Sequence, residues 1–466
     1  MNLVLEQLPI LLIVVPLVGV PVVFFVDRTG HGTLSVTLAI VIATLVLVGV
    51  ALPVALQSPV ETAASGWPAD LGIHLRFDTL SSLAILISGL VVVAATVLPP
   101  EHASLHQYHS LLLLLFAGSN GLMVTQDLFN AYVFIEITSI ASYALVAQKQ
   151  NPGAFESSFK YVVMGTLAGL LILWGVAGLY LTTGSLDLAN VSDTFDSVPG
   201  AVPALAVTAI IAGILMKLGQ VPFHPWKADS LSGASYSASA TLSGVTTTAF
   251  FVLMLRVLAA FPAVAGDLAA VLSLVAGLSI LVGHFMALRQ TDYSRLLAYS
   301  SVAHIGYGLL AASTGSRVAV AAGLFHVLVH AIMKSGLFLF GPVILQRVRP
   351  LRLAVYSILA MSMIGIPPVL GFTSKWYTIL ETALAGAWLG AVLIAIGGAI
   401  ALVYYLRIGV RFSTMNQDSH EPAQSGRLQT AVPASAALIL IVLAFFSDTL
   451  LGLCMQAVDQ LARAVW

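Results

Sequence analysis

The residues that could do chemistry in this sequence are ionisable side chains inside long apolar stretches. Glu136, Lys217, Lys334 and Lys375 are each surrounded by mostly uncharged residues. A cation near the centre of a bilayer costs at least about 2.5–3.5 kcal/mol on insertion scales, so such residues usually have a function. Burial favours the neutral form of a lysine, whereas a nearby carboxylate favours its charged form. A contact between Glu136 and a lysine that forms and breaks would therefore move protons, and a structural ion pair is the alternative.

A second set of candidates follows one helical stripe. His326, His330 and Lys334 are separated by steps of four, and each step advances a helix by only about 40°, so the three share a face. Two histidines and a lysine on one stripe could pass a proton through intervening water. Three residues on neighbouring stretches could extend this path: His284, His304 and Tyr307. For each histidine, a simple hydrogen bond to a neighbouring helix is the alternative.

Nothing in the sequence predicts a metal, a cofactor or catalytic chemistry in this chain. His102, His106 and His109 have a spacing reminiscent of metal ligands, but only Glu101 accompanies them, so a solvated loop is expected. The single cysteine, Cys454, excludes an iron–sulfur cluster held by this chain alone, since such clusters need about four thiolates. The net charge of −1 gives no reason to expect nucleic-acid binding.

The composition requires that these residues sit on membrane-spanning helices. Of the 466 residues, 59% are hydrophobic and 8% are charged, whereas soluble domains carry about 25% charged residues. A helix crosses the bilayer with about 20 apolar residues. The sequence therefore predicts an all-α polytopic membrane protein, with fourteen spans at about 7–26, 33–55, 78–98, 109–126, 128–148, 158–182, 203–221, 232–258, 264–288, 295–313, 317–343, 353–382, 386–409 and 430–454.

Two of these spans carry helix-breaking residues next to a lysine. In span 7, Pro222 and Pro225 follow Lys217, and in span 12 the sequence Gly-Ile-Pro-Pro at 365–368 precedes Lys375. Broken helices are tolerated at membrane depth where the backbone lines a cavity or packs within protein. Both spans are therefore predicted to be broken helices.

The basic residues predict the orientation. Loops after odd-numbered spans, with the adjoining helix ends, carry twelve Lys and Arg residues, and the opposite side carries three. The positive-inside rule then places both termini on the non-cytoplasmic side of the cell membrane. Arg256 lies near the outer end of its span, where its side chain is expected to reach the interface. The polar stretch 57–78 is predicted as a small surface hairpin, from its Gly-Trp-Pro turn and the alternation of Ile73, Leu75 and Phe77.

Seven motifs, spread over nearly the whole chain, resemble those of the antiporter-like membrane subunits. This family is shared by Mrp-type multisubunit cation/proton antiporters, membrane-bound hydrogenases and respiratory complex I. The motifs are SGWPADLGIHL, DLFNAYVFIEITSIASYALVA, SFKYVVMG, MKLGQVPFHPW, RLLAYSSVAHIGY, LFHVLVHAIMKSGLFL and GIPPVLGFTSKWY. The Gly-Trp-Pro hairpin and the FNxxVFxEI stretch look most similar to the D subunit of Mrp antiporters and its hydrogenase counterpart.

The resemblance implies a single membrane domain, 1–466, of fourteen helices. Two inverted five-helix repeats would occupy about 109–258 and 264–409, with peripheral helices in 1–98 and 430–466. The family's ion-translocation residues match these positions: Glu136, Lys217, His224, His326, His330, Lys334 and Lys375.

The sequence departs from the family pattern at two places. The family usually has a lysine in span 8, where this chain has Thr248, and a threonine cannot hold the extra proton. The family pattern HxWLPDA reads HPWKADS here, so Lys227 replaces an apolar residue. Lys227 is expected to be a solvated loop residue, and compensation for Thr248 is the alternative.

Together these features predict a proton- and cation-translocating subunit of a multisubunit complex in the cell membrane. The leading interpretation is an Mrp-type Na⁺/H⁺ antiporter D subunit, whose partners would be other membrane subunits, the lipid bilayer, H⁺ and Na⁺ or another cation. One alternative is a proton-pumping subunit of a hydrogenase or of an NADH–quinone oxidoreductase-like complex, driven by redox chemistry in partner subunits. Another alternative is a non-conducting structural subunit, which Thr248 favours.

Overall fold

The computed structural model describes residues 6–26, 31–63, 72–100, 104–195, 197–198, 200–344, 346, 348–415 and 427–463. The Gly-Trp-Pro turn and His102 lie outside the described residues. Within them the chain is almost entirely helical, with one pair of short strands. This confirms the predicted fold class, an all-α polytopic membrane protein.

The elements follow the chain in a simple order. They are α1 (Leu8–Val26), α2 (His31–Gln57), β1 (Val60–Ala63), β2 (His74–Phe77), α3 (Thr79–Val97), α4 (Leu105–Val124), α5 (Leu128–Ala147), α6 (Pro152–Thr183), α7 (Leu188–Phe195), α8 (Val202–Leu218), α9 (Pro225–Gly233), α10 (Tyr236–Ala260), α11 (Pro262–Arg289), α12 (Tyr293–Ala312), α13 (Arg317–Ile344), α14 (Pro350–Ile364), α15 (Leu370–Leu384), α16 (Trp388–Met415), α17 (Arg427–Val442) and α18 (Ser447–Arg463). Helix α10 contains a π-helical turn at Leu242–Thr246, and a 3₁₀ turn at Leu443–Phe446 joins α17 to α18.

Ten helical stretches in the described residues are long and apolar enough to cross a membrane. They coincide with ten of the fourteen predicted spans. The other four predicted spans fall on α4, α8, α12 and the pair α14–α15, which are shorter or more polar. The number fourteen therefore stays a prediction.

The chain leaves the helical conformation at the two places where span 7 and span 12 contain proline. Helix α8 ends at Leu218 and α9 begins at Pro225, while α14 ends at Ile364 and α15 begins at Leu370. That each pair of helices forms one interrupted membrane span stays a prediction.

Helices α10 and α13 form the centre of the bundle. About nine-tenths of the residues in their most apolar windows are buried inside the protein, against less than two-fifths for α1 and α2. Helix α13 packs against α12, α14, α15, α17, α18, α10 and α3. A polar group on α10 or α13 is therefore surrounded by protein on all sides and must find its partners there.

The two predicted hairpin strands are confirmed. Strands β1 and β2 pair antiparallel, with Val60 opposite Phe77. Leu75 and Phe77 are buried against the helices, whereas Ile73 is exposed. Arg76, on the other face of β2, is buried as well, so both faces of this strand pack against the protein.

The predicted interfacial position of Arg256 is wrong. Its side chain is 1% exposed, and its guanidinium binds Asp78 through two contacts, Nη1 to Oδ2 at 3.0 Å and Nη2 to Oδ1 at 3.1 Å. Asp78 is also the N-cap of α3 and accepts from the backbone N–H of Ser81 at 2.8 Å. Because a buried carboxylate supplies the counter-charge, the guanidinium has no need to reach the interface.

The hairpin is held to the start of α7 by a histidine. His74 Nδ1 lies 2.9 Å from Asp187 Oδ2, and His74 Nε2 lies 3.8 Å from Glu61 Oε2. These two carboxylates raise the pKa of His74 from 6.5 to about 9, with the Asp187 hydrogen bond as the largest cause. The charged imidazole therefore stabilises the docked hairpin at neutral pH.

The stability of the protein is expected to fall with alkaline pH through this histidine. A group whose pKa is raised on folding stabilises fully below its unfolded pKa, here 6.5, and that stabilisation is lost as the pH rises through about 9. The loss should be about 2 kcal/mol, allowing for the partly exposed Glu61. Thermal unfolding in detergent at pH 6.5 and pH 10 measures it, with His74→Gln as the control. A decline of equal size in the two proteins would contradict this assignment.

Candidate functional site

Four lysines are buried in the interior of the bundle. Lys217, Lys227, Lys334 and Lys375 are each 5% exposed or less. Burying an ammonium group is costly, so each amine needs partners or must be neutral. Among the described residues, only Lys217 has a carboxylate within 4 Å of its Nζ. The other three amines depend on neutral oxygens, which makes their protonation state responsive to neighbouring charges.

Lys217 and Glu136 form the first part of the site. Lys217 lies in the last turn of α8, and its Nζ is 3.9 Å from Glu136 Oε1 on α5. The same Nζ donates a hydrogen bond to Ser139 Oγ at 2.7 Å. Glu136 and Ser139 are three residues apart, so they face the lysine together. The pair is close but not in hydrogen-bond contact, an arrangement that a small side-chain movement can tighten or break.

Lys227 lies at the interruption between α8 and α9. Its Nζ donates to the carbonyl of Leu218, the last residue of α8, at 2.7 Å, and contacts Thr247 Oγ1 at 3.4 Å. Gly219 adopts φ +66°, and a Cβ there would come within 2.6 Å of the Lys227 side chain. The expectation that Lys227 is solvated is wrong, because α9 packs against α6 and α12 and places this side chain in the interior, 4% exposed. The amine is instead a buried cap on the carbonyl end of α8.

Lys375 has the corresponding place at the second interruption. Its Nζ donates to the carbonyls of Met363 at 2.9 Å and Ile364 at 2.8 Å, at the end of α14. Gly365, which follows, adopts φ +86°, and a Cβ there would lie 3.0 Å from the Lys375 side chain. The ends of α8 and α14 therefore share two features. A glycine with positive φ follows the helix, and a buried lysine amine donates to its last carbonyls.

Three histidines stack between α12 and α13. The rings of His304 and His326 lie 5.3 Å apart and nearly parallel, and those of His304 and His330 lie 5.7 Å apart. His304 Nδ1 is 3.1 Å from His326 Nε2, and His326 Nδ1 is 3.2 Å from Ser374 Oγ. Both ring nitrogens of His330 are buried without a hydrogen-bond partner among the described residues. The stripe predicted on α13 is therefore part of a cluster that α12 completes.

Lys334 occupies the centre of the protein. Its side chain is fully buried, and its Nζ donates to Leu297 O at 3.1 Å, Ser300 Oγ at 3.0 Å and Tyr405 Oη at 3.3 Å. Three acceptors satisfy the three protons of a charged ammonium group. Tyr405 and Ser300 are in turn 3.1 Å apart, so the lysine joins a polar network that α12 and α16 share.

The network continues from Ser300 towards Lys375. Tyr404 donates to Ser300 at 3.2 Å, and its hydroxyl lies 3.1 Å from His284 Nδ1. His284 Nε2 is 2.5 Å from the hydroxyl of Tyr307, whose ring lies 5.4 Å from Lys375 Nζ. These groups form a continuous hydrogen-bonded series from Lys334 to the side of Lys375. Sequence reasoning missed Tyr404, whose signal was a pair of tyrosines inside an otherwise apolar span.

Some of the predicted residues stand apart from this series. The hydroxyl of Thr248 donates to Gly244 O at 2.6 Å, so it is occupied within its own helix. His224 is half-buried at the start of α9, with its ring 6.2 Å from that of Tyr299. The expected solvated loop is wrong for His109, which is buried in α4 beside Thr33 and Thr96. The described residues contain no group of three or more metal-ligating side chains.

Comparison with known proteins supports the resemblance. A family model described as "NADH:quinone oxidoreductase/Mrp antiporter, TM" matches residues 125–401. The chain is 33% identical to the NADH-quinone oxidoreductase subunit N of Desulforudis audaxviator, over 94% of each sequence. Residues 125–401 contain every predicted ion-translocation residue, from Glu136 to Lys375.

Two solved structures show the same fold. A chain of the Mrp complex from Dietzia superposes with a TM-score of 0.90 at 23% identity, covering 99% of this chain and 98% of that one. A chain of the membrane-bound sulfane sulfur reductase, an archaeal respiratory membrane complex, superposes with a TM-score of 0.91 at 27% identity, covering 98% of both. Both chains belong to membrane complexes, which supports the predicted partner subunits.

The narrower prediction of an Mrp D subunit is not confirmed. The match to the Mrp complex is under 25% identical and shows the fold alone, whereas the 33% identical relative carries the name of a quinone oxidoreductase subunit. The broader prediction, an antiporter-like membrane subunit of a multisubunit complex, is confirmed by the family match and by relatives that cover nearly the whole chain. This protein belongs to the NADH:quinone oxidoreductase/Mrp antiporter family of antiporter-like membrane subunits.

Proposed function

We propose that this chain translocates protons as one subunit of a multisubunit membrane complex. The observation that supports this most directly is the hydrogen-bonded series that runs from Lys334 through Ser300, Tyr404 and His284 to Tyr307 beside Lys375. Maintaining buried amines and imidazoles amid apolar helices costs stability. A proton path explains why they are placed in contact with one another.

The proposed path begins at Lys217. A charged Glu136 at 3.9 Å stabilises the charged form of this lysine, and burial favours the neutral form. Lengthening the Glu136–Lys217 contact therefore releases a proton towards the central cluster, and shortening it captures one. Lys334 and its hydrogen-bond partners carry the proton on, and Lys375 delivers it towards the predicted outer side.

We propose further that electron transfer in partner subunits drives the translocation. The names of the relative and of the 27% identical structure, a quinone oxidoreductase subunit and a respiratory complex, favour this over cation/proton antiport. Since this chain has a single cysteine, iron–sulfur clusters would belong to its partners. Iron in the purified complex supports the redox-driven alternative. An iron-free complex whose vesicle lumen becomes alkaline after a pulse of external sodium supports an Mrp-type antiporter, since sodium would enter in exchange for protons.

Replacing Glu136 with glutamine tests translocation itself. The variant keeps the shape of the side chain and removes its charge, so proton movement should fall by about three- to tenfold. Inverted vesicles carrying the whole complex and a pH-sensitive dye measure it. Glu381→Gln, on a glutamate near the end of α15, is the matched control and should behave like the parent. An intact Glu136→Gln complex that moves protons at the parent rate would favour the structural-subunit alternative.

A further inference from the structure

The amine that the family usually supplies in span 8 is missing here, and a buried lysine lies next to the gap. Thr248 cannot replace that amine, because its hydroxyl is occupied by Gly244 O and cannot hold a second proton. Without another group, the path would lack a protonatable side chain between Lys217 and the cluster on α13. Lys227 lies in this region, at the interruption after α8, and is 4% exposed.

We propose that Lys227 carries the proton between Lys217 and the His330–Lys334 cluster, in place of the missing span-8 amine. This inference rests on the proposed function and adds a residue to it. It requires a connection from Lys227 on both sides, one to Lys217 and one to the cluster on α13.

A small cavity provides the first connection. Lys217 and Lys227 both line it, together with Thr246 and Thr247 of α10 and Tyr161 of α6. It has about 10 Å³ of room for water centres, enough for about one molecule. Thr246 Oγ1 is buried and has no partner among the described residues, so it can accept a hydrogen bond from such a water. A water in this cavity would lie between the Lys217 and Lys227 side chains, which both line it.

The second connection runs along the π-helical turn of α10. Lys227 Nζ contacts Thr247 Oγ1 at 3.4 Å, directly after that turn, and the turn packs against α13, which carries His330 and Lys334. His330 has two buried ring nitrogens without a partner among the described residues, so its ring is free to form a new hydrogen bond. Charged groups repel strongly in a water-free interior, so a proton arriving at Lys227 displaces one from the cluster towards Tyr405 and beyond.

The similar contacts of Lys227 and Lys375 support the same role. Both amines donate to the last carbonyls of a helix that is followed by a glycine with positive φ. Lys375 is the outlet of the path in the proposed function. Lys227 makes the same kind of contact at the end of α8 that Lys375 makes at the end of α14.

Substitution at position 227 in the whole complex tests the proposal. Lys227→Met should lower proton translocation in vesicles at least about tenfold, because the relay amine is lost. Lys227→Arg should be equally defective, since arginine keeps the positive charge and can donate to Leu218 O but does not release its proton. Lys160→Met, on an exposed lysine of α6, is the matched control and should behave like the parent.

A rescue variant and a parallel measurement separate the possible failures. Lys227→Met combined with Thr248→Lys returns an amine to span 8 and should recover at least half of the parent rate, by the same reasoning about relay groups. Parent-like translocation by Lys227→Arg would show that this lysine only caps α8, and would overturn the inference. If Lys227→Met translocates normally while Glu136→Gln is defective, the inference fails and the proposed function stands. If both translocate normally, the proposed function fails.

Discussion

Replacing Lys334 with methionine is expected to reduce proton translocation to less than about a tenth of the parent rate. Methionine keeps the length and apolar character of the side chain but cannot bind a proton. The substitution leaves Ser300 and Tyr405 without the amine that they accept from, and interrupts the path at its centre. No carboxylate lies within 4 Å of this lysine in the described part of the chain, so loss of an ion pair cannot cause the defect.

The measurement is acidification of inverted vesicles, normalised to the amount of assembled complex. Lys149→Met, on an exposed lysine after α5, controls for the loss of a positive charge. Methionine is less costly to bury than lysine, so the variant should assemble at least as well as the parent. An assembled Lys334→Met complex with parent-like acidification would show that protons take a route outside α13.

Replacing Asp78 with alanine is expected to destabilise the protein by about 3–5 kcal/mol. The carboxylate is fully buried and is the main counter-charge of Arg256, which also donates to the carbonyl of Met123 at 2.9 Å. Arg76 also approaches the carboxylate, with its Nε 3.5 Å from Oδ2. Without Asp78, two buried guanidinium groups lose their shared anion, and α3 loses its N-cap.

The size of this effect is measured by thermal unfolding in detergent and by the yield of folded protein. Asp78→Ala combined with Arg256→Met removes both members of the buried pair. A buried pair replaced by apolar groups is often neutral or stabilising, so the double variant should recover most of the loss. The destabilisation of the double variant is compared with the sum of those of Asp78→Ala and Arg256→Met. If the two are equal, the side chains are not energetically coupled and the assignment of a buried ion pair is wrong.

The fold could be predicted from the sequence because membrane insertion is decided locally. About twenty consecutive apolar residues specify a helix whatever the rest of the chain does, since every backbone group must be satisfied within its own segment. The ten long apolar helices of the described residues match ten predicted spans for this reason. The same reasoning identified Lys217, Lys334 and Lys375, because charge stands out in an apolar stretch.

Local reasoning failed where a distant residue determined the environment. Arg256 was expected at the interface, but its counter-charge, Asp78, lies 178 positions away. Lys227 was expected in solvent because its neighbours in sequence are polar, and only the packing of α9 against α6 and α12 buries it. Thr248 marked the place of a missing amine, but nothing in the sequence indicated which residue lies nearest to the gap.

The amino-acid sequence by itself determined that this chain forms apolar helices and that several ionisable groups remain among them, since both follow from the transfer free energy of individual residues. Tertiary structure alone decided which of those groups touch. Contacts such as Glu136 with Lys217, Ser300 with Tyr405 and His284 with Tyr404 join helices that are far apart in the chain. They depend on helix rotation and packing, which set distances to within an ångström, and hydrogen bonding requires that accuracy.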